Sequence, residues 1–452
     1  MTAFAFVPLV FLGLWTILCG DRKKWLCLPV GLTFLLVSHV LSAFIAVLLC
    51  AVFFLCYLGR VIREPRRLLY IGYSVLAFAV LSASFLFPML EQMASTTFLS
   101  TDGTSATYYG TLTQRSLPWW AAVFDFNTRL DYKTAAFGFW IPNGLGMAFV
   151  VMLAAFFRYI TRIREKKNLF VFLYFSVFLL LMTTELFPWS YFQSVCGTMQ
   201  FPWRLLLFAT FFMALFAGQF VKQAPTKNVS AVFCTLFVCC SLFSYVSTAS
   251  VSILNYANYA ANGTEITYNY KDNIGAGEYL PSLDMKPATY RSLLYNRRDR
   301  VTTNNSSLGT LTAERGHGSV SVAFADNDRV DTYIDVPLLM YKGYSARATL
   351  ADGSAVDLPV AYGENNLVRV YLQGVSSGTV TVWYEGTAVQ RVSFIVTVAG
   401  FLLLLVSGIV YFAVQKRRNG KDACAGTGAS PALGEASAGD QPAISSETVT
   451  KE

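Results

Sequence analysis

Histidine and charge are scarce in this sequence. Only His39 and His317 occur among 452 residues, and 14% of side chains are charged, where soluble globular domains carry roughly a quarter. With two histidines and no HExxH or CxxC pattern, no zinc cluster can be assembled. Nine cysteines are present, but Cys19, Cys27, Cys50, Cys56, Cys234, Cys239 and Cys240 lie in apolar runs, as small buried hydrophobes do. Cys424 sits in a polar tail, which leaves Cys196 alone in an outward segment and excludes a disulfide framework. No signal peptide is expected either, because Met1 opens directly into apolar sequence with no basic stretch before it.

What the chain has in abundance is apolar surface. Hydrophobic residues make up 54% and aromatics 15%, with a mean hydropathy of +0.47. Such a chain belongs mostly in lipid. Apolar stretches approaching the hydrocarbon thickness run over residues 3–19, 25–58, 69–87, 145–160, 169–182, 205–221, 229–246 and 394–414.

The net charge of +8 is a signal of topology. Of 35 Lys and Arg, 18 sit in five connectors, at residues 21–24, 60–67, 158–167, 222–227 and 416–421. The positive-inside rule puts all five on the cytoplasmic face. One run then resists a single crossing: residues 25–58 would carry their two basic flanks to opposite faces. A break at Ser38-His39 resolves this, placing His39 near the outer surface and giving nine membrane segments. Three segments fall outside: 88–144, 187–202 and 250–391. Met1 falls outside too, and an outward start in apolar sequence is read as the C-terminal part of a longer protein or a misassigned start.

From about Gly318 the pattern alternates with period two, in runs over 319–324, 330–336, 346–350, 356–360, 368–372 and 379–384, separated by turns such as Asp352-Gly353. That predicts a small antiparallel β-sandwich. Between residues 250 and 391, 12 basic and 14 acidic residues nearly balance, which excludes a nucleic-acid platform. The expected organisation is a helical membrane domain over 1–249 with an outer loop at 88–144, an extracytoplasmic β-rich domain over 250–391, an anchor helix over 392–415 and a disordered cytoplasmic tail over 416–452.

Three outer features carry candidate chemistry. Thr184-Glu185-Leu-Phe-Pro-Trp189 ends the sixth segment, and Met199-Gln-Phe-Pro-Trp-Arg204 opens the seventh. Pro202 suits a helix start, so Arg204 lies where free N–H groups and the dipole also attract an anion, a cradle for a lipid phosphate. The plain alternatives are a Glu185–Arg204 salt bridge or an arginine snorkelling to headgroups. His39, with Ser38 and Ser42, either bonds a sugar hydroxyl or phosphate or caps the helix break. The loop 88–144 interleaves Glu91, Asp102, Asp125 and Asp131 with Trp119, Trp120, Phe124, Phe126 and Trp140. These are general bases and stacking platforms, or else an amphipathic interfacial segment.

Four motifs in order, Leu35-Leu-Val-Ser-His-Val-Leu-Ser-Ala43, Gln200-Phe-Pro-Trp-Arg204, Gly275-Ala-Gly-Glu-Tyr-Leu-Pro281 and Val336-Pro-Leu-Leu-Met-Tyr-Lys-Gly-Tyr344, resemble bacterial YfhO-type membrane proteins. They are equally similar to the group labelled 6-pyruvoyl-tetrahydropterin synthase-related membrane proteins, without implying pterin chemistry. The resemblance extends to about Phe412. It implies a C-type glycosyltransferase architecture that moves a sugar from a polyprenyl-phosphate donor to a cell-envelope glycan or polymer outside the membrane. It implies no cofactor, with a divalent cation the one addition the phosphate chemistry admits. Arg204 is the first choice for the phosphate, with Trp203, Trp189 and His39 toward substrate and Glu185, Asp125 or Asp131 as carboxylates for catalysis. Members of that fold carry a catalytic carboxylate in the first outer loop, and none precedes Asp21, in keeping with a missing N-terminal part. The competing classes are a non-catalytic envelope scaffold and a lipid-linked sugar transporter. A transporter would show ionisable groups deep in its helices and internal repeats, and neither is present.

Overall fold

The computed structural model describes residues 2–98, 111–124, 145–163, 166–199, 201–261 and 300–426. The chain divides into two units, Met1–Thr397 and Val398–Glu452. The first holds two hydrophobic cores, one helical and one β.

The helical core begins with α1 (Val7–Leu18), α2 (Cys27–Ser38) and α3 (Val40–Cys56). Glycines let α1 and α2 touch: a Cβ on Gly13 would lie 2.2 Å from the Leu28 backbone nitrogen, and one on Gly31 would lie 2.9 Å from the Val10 nitrogen. Small residues at such crossings are how helices approach where lipid removes the hydrophobic drive between them. The break expected at Ser38-His39 is present. His39 leaves the helix (φ −163°, ψ 101°), and its Nδ1 accepts the Ser42 N–H at 3.1 Å, capping α3. With 12 residues, α2 is only about 18 Å long, well short of the roughly 30 Å of hydrocarbon.

Next come α4 (Leu58–Arg63), α5 (Arg66–Leu81) and α6 (Ala83–Ser95). The last two are bent by 77° at Ser82. One hydroxyl from the far end of this unit bridges the break: the Ser84 N–H donates to Thr397 Oγ1 at 2.8 Å, and that hydroxyl donates to the Val80 carbonyl at 3.3 Å. After α7 (Trp119–Phe124), the body is completed by α8 (Met147–Tyr159), α9 (Lys166–Thr183), α10 (Trp189–Cys196), α11 (Leu206–Gln223) and α12 (Lys227–Ala261). Stacked Phe175 and Phe212, 4.5 Å between centroids, lock α9 to α11.

Among the described residues, four helical stretches are long and apolar enough to cross a membrane: Lys166–Thr183, Pro202–Gln223, Lys227–Val246 and Ala388–Val410. The bent pair of α5 and α6 makes a fifth if counted as one span, and α1, α2 and α3 are shorter apolar helices. All nine apolar segments expected from sequence contain helix. Two helices overrun their expected limits. No proline or glycine interrupts residues 227–261, and α12 runs on to Ala261, past the boundary expected at 249. The final helix, α13 (Ala388–Gly426), starts before the expected anchor and carries helix through Lys416-Arg-Arg418, where disorder was expected. The described part of the second unit is its continuation from Val398 to Gly426.

The β-module has nine strands: β1 (Thr302–Thr303), β2 (Ala313–Arg315), β3 (Ser319–Phe324), β4 (Tyr333–Leu339), β5 (Tyr344–Thr349), β6 (Ala355–Leu358), β7 (Val360–Tyr362), β8 (Leu367–Tyr371) and β9 (Gly378–Tyr384). All pairs are antiparallel, in sheets ordered β1-β4-β8-β7 and β2-β3-β9-β5-β6. Alternate residues turn inward. Val320 and Val322 of β3 and Val380 and Val382 of β9 meet Ile334, Val336, Val368 and Val370 of the other sheet in one core. The expected sandwich is therefore present, with β1 and β2 added and the single run expected at 356–360 divided into β6 and β7, which join different sheets. Asp352-Gly353 forms the expected turn, Gly353 supplying φ +83°. The Gly275–Pro281 motif lies outside the described residues.

Several surface carboxylates of this module are held below the usual carboxylate range, each by a hydrogen bond to its charged form: Asp328 by the Asn305 amide, Asp331 by Arg329, Asp352 by Ser354 and Asp357 by Arg347. A depressed folded pKa stabilises fully above the unfolded value, and that contribution disappears as pH falls through the folded pKa. The urea midpoint of the module, read by pulse proteolysis, should therefore hold steady from neutral pH down to about pH 5 and fall below about pH 4. Asp328→Asn should shrink that fall, and a midpoint level through pH 3 would contradict it.

The β-module is joined to the helical body at the end of α6. Glu91 accepts a hydrogen bond from the Thr387 hydroxyl at 2.6 Å and pairs with Lys342 Nζ at 3.0 Å, while Gln92 exchanges hydrogen bonds with the Lys342 backbone at 2.7 and 3.2 Å. Glu91 was expected as a loop carboxylate; its place is this joint.

Candidate functional site

The site grows from two chain reversals at one end of the helical body. The first is the helical start Pro202–Leu205, where proline fixes φ at a position needing no N–H. The Arg204 N–H closes onto the Phe201 carbonyl at 3.2 Å, and its guanidinium donates to the Met199 carbonyl at 3.1 Å. The second is the segment from Thr111 to Phe124. It is strapped down by a short parallel bridge in which the Leu117 N–H donates to Thr183 and the Glu185 N–H donates to Leu117. This strap carries Arg115 inward until it is 5% exposed.

Both arginines approach the ring of Phe201. The Arg115 guanidinium carbon is 4.8 Å from its ring centroid and that of Arg204 is 5.1 Å away. Both are inside cation–π reach, and the two guanidiniums are held within about 10 Å of each other, one Debye length. Trp203, half-buried, packs against the same ring at 5.7 Å between centroids. His39 belongs to this end as well, at the far end of α2 from the basic connector 21–24. Partial desolvation and then the charge of Arg204 push its imidazole below the ordinary value. The neutral ring agrees with Nδ1 accepting from Ser42. Its Nε2 makes no hydrogen bond among the described residues.

Of the residues expected from sequence, Arg204 and Trp203 thus meet at Phe201, and His39 lies within reach of the Arg204 charge. Glu185 is not paired with Arg204: its backbone ties down the strap and its side chain is exposed, with no ion pair among the described residues. Trp189, expected to face substrate, is instead fully buried, its indole N–H donating to the Met182 carbonyl at 2.9 Å and its ring 4.7 Å from that of Phe187. The cause is the turn after α9, which folds Trp189 back under the helix it follows. Asp125 and Asp131 lie outside the described residues. Arg115 escaped sequence reasoning. Its one signal was a basic residue set between polar Gln114 and the Leu117-Pro118-Trp119 run, in a loop whose other cations are Arg129 and Lys133.

Among the described residues no group of three or more His, Cys, Asp or Glu is gathered to hold a metal. The arrangement gathers two guanidiniums at one ring beside a helix start, with a neutral imidazole in Coulombic reach, and donors of that kind are able to hold an anion. No protein-family model matches this chain, and neither does any curated protein or solved structure.

Proposed function

We propose that this chain is an integral membrane protein of the YfhO-like, C-type glycosyltransferase kind, which moves a sugar from a polyprenyl-phosphate donor to a cell-envelope acceptor. In this reading nine segments cross or enter the cell membrane, the basic connectors face the cytoplasm, and the β-module and the Arg115–Phe201–Arg204 cluster face the extracytoplasmic side. The observation that supports it is the convergence of Arg115 and Arg204 on Phe201, with His39 in Coulombic reach. A phosphate leaving a lipid-linked sugar needs its charge taken up, and guanidiniums offer paired donors for it. His39, neutral, suits a hydroxyl of the sugar. The carboxylate that deprotonates the acceptor is assigned to Asp125 or Asp131, which follow the strap directly in sequence, with Glu185 less suited because its carboxylate does not pair with Arg204.

The position of Glu185 also favours a second reading, a non-catalytic envelope scaffold whose binding module is the β-domain. The test separates them. In lipid nanodiscs, Arg204→Ala and Arg115→Ala should each weaken polyprenyl-phosphate binding about 10- to 100-fold, the loss of one hydrogen bond to a charged group of roughly 1.5–3 kcal/mol. The exchanges Arg204→Lys and Arg115→Lys should recover part of it. Unchanged binding in both alanine variants rejects the cradle and leaves the scaffold.

A further inference from the structure

A second concentration of positive charge lies at the opposite end of α2 and α3, where the basic connectors meet. Tyr57, fully buried, closes α3, and its hydroxyl donates to Asn168 Oδ1 at 2.9 Å, pinning that helix to the start of α9. Two cations share its ring, Lys167 Nζ at 4.8 Å and the Arg60 guanidinium carbon at 5.5 Å from the centroid. Arg60 and Arg67 of one connector and Lys167 of another all lie in Coulombic reach of Cys19, so two connectors distant in sequence converge on one spot.

The charges there are unequally answered. Arg22 and Arg67 both bind Glu64, and Arg67 also donates to the carbonyls of Ile17 and Gly20. Arg60 and Lys167 form no ion pair among the described residues. Like charges gathered on one aromatic ring repel unless an anion lies between them. The neighbouring surface is apolar, with Ile62 69% exposed. Trp25, 6.2 Å from both Tyr70 and Tyr73, supplies the aromatic belt that marks a membrane–water boundary.

We propose that this end of the body binds the headgroup of one anionic phospholipid, its phosphate held between Arg60 and Lys167 above Tyr57 and its acyl chains lying along the apolar face beside Ile62. An apolar flank suits acyl chains and offers nothing to a soluble phosphate, and basic pockets between membrane helices are the usual form of such sites. The proposal rests on the chain lying in a bilayer and is independent of any glycosyl transfer.

The test is native mass spectrometry of the full chain with phosphatidylglycerol, phosphatidylcholine or inorganic phosphate added. Phosphatidylglycerol should be retained, and the paired change Arg60→Gln with Lys167→Gln should weaken its binding at least about tenfold, while Lys24→Gln on the exposed neighbouring connector leaves it unchanged. Lys167→Gln alone, at an exposed side chain, should cost about threefold and serves if the paired variant does not fold. Equal losses in Lys24→Gln, equal retention of phosphatidylcholine, or displacement of the lipid by millimolar inorganic phosphate would each overturn it.

Discussion

Asp335→Ala should unfold the β-module or leave it barely stable. Asp335 and Arg369 stand directly opposite each other on β4 and β8 and form a two-pronged pair at 2.7 and 2.8 Å, their side chains 2% and 19% exposed. The guanidinium also covers the Tyr333 ring at 3.6 Å, and Asp335 accepts the Glu364 N–H at 3.2 Å. Removing one partner leaves a charge in a place it would never occupy alone. That costs about 3–5 kcal/mol, a large share of the 5–15 kcal/mol that holds a domain together. Replacing both at once, Asp335→Leu with Arg369→Met, removes the orphaned charge and should restore most of the loss. Pulse proteolysis in urea reads both variants. A midpoint unchanged in Asp335→Ala would show that the pair is dispensable. Gly363 guards the same pair, since a Cβ there would sit 2.3 Å from Asp335 Oδ1.

Gly13→Val should part α1 from α2. The nearest atoms to a new Cβ are the Leu28 nitrogen at 2.2 Å, its Cα at 2.7 Å and its Cβ at 2.8 Å. The first two are backbone, so no rotamer change relieves the overlap and one helix must move. Overpacking a tight site costs about 1–3 kcal/mol or more, and the displaced helix also loses the packing of Val7, Val10 and Leu14. Gly31, which meets Val10 on the same crossing, should behave alike, and the two substitutions together should add less than their sum because they share one displacement. Thermal unfolding in detergent should show a lower midpoint for Gly13→Ala and a still lower one for Gly13→Val. Equal melting of all three proteins would refute the close approach.

What could be read in advance was whatever depends on local pattern. The His39 break was legible because a 34-residue apolar run with basic flanks cannot cross a membrane once. The strand Ser319–Phe324 was legible because its inward valines alternate. Arg115 was hidden, since its burial comes from a strap pairing it with residues near position 184, and nothing local announces that pairing. Trp189 looked like an exposed platform for the opposite reason: its indole partner, Met182, is one turn of helix and one chain reversal away. The overrun of α12 to Ala261 was missed because polarity was taken as the end of a helix, whereas polarity ends only the span.

The hydroxyl of Thr397 answers both backbone groups freed at the bend between α5 and α6, and it lies 313 residues beyond Ser84 in the chain. At about 5–20 residues per second, a ribosome needs roughly 15–60 s to reach it after the bent helix has been made. Through that interval the bend is unfinished, its amide and carbonyl dependent on water or on a passing partner. The whole β-module is translated in the meantime. Completion of the bend therefore waits until the β-module has been synthesised and Thr397 has returned to the helical body.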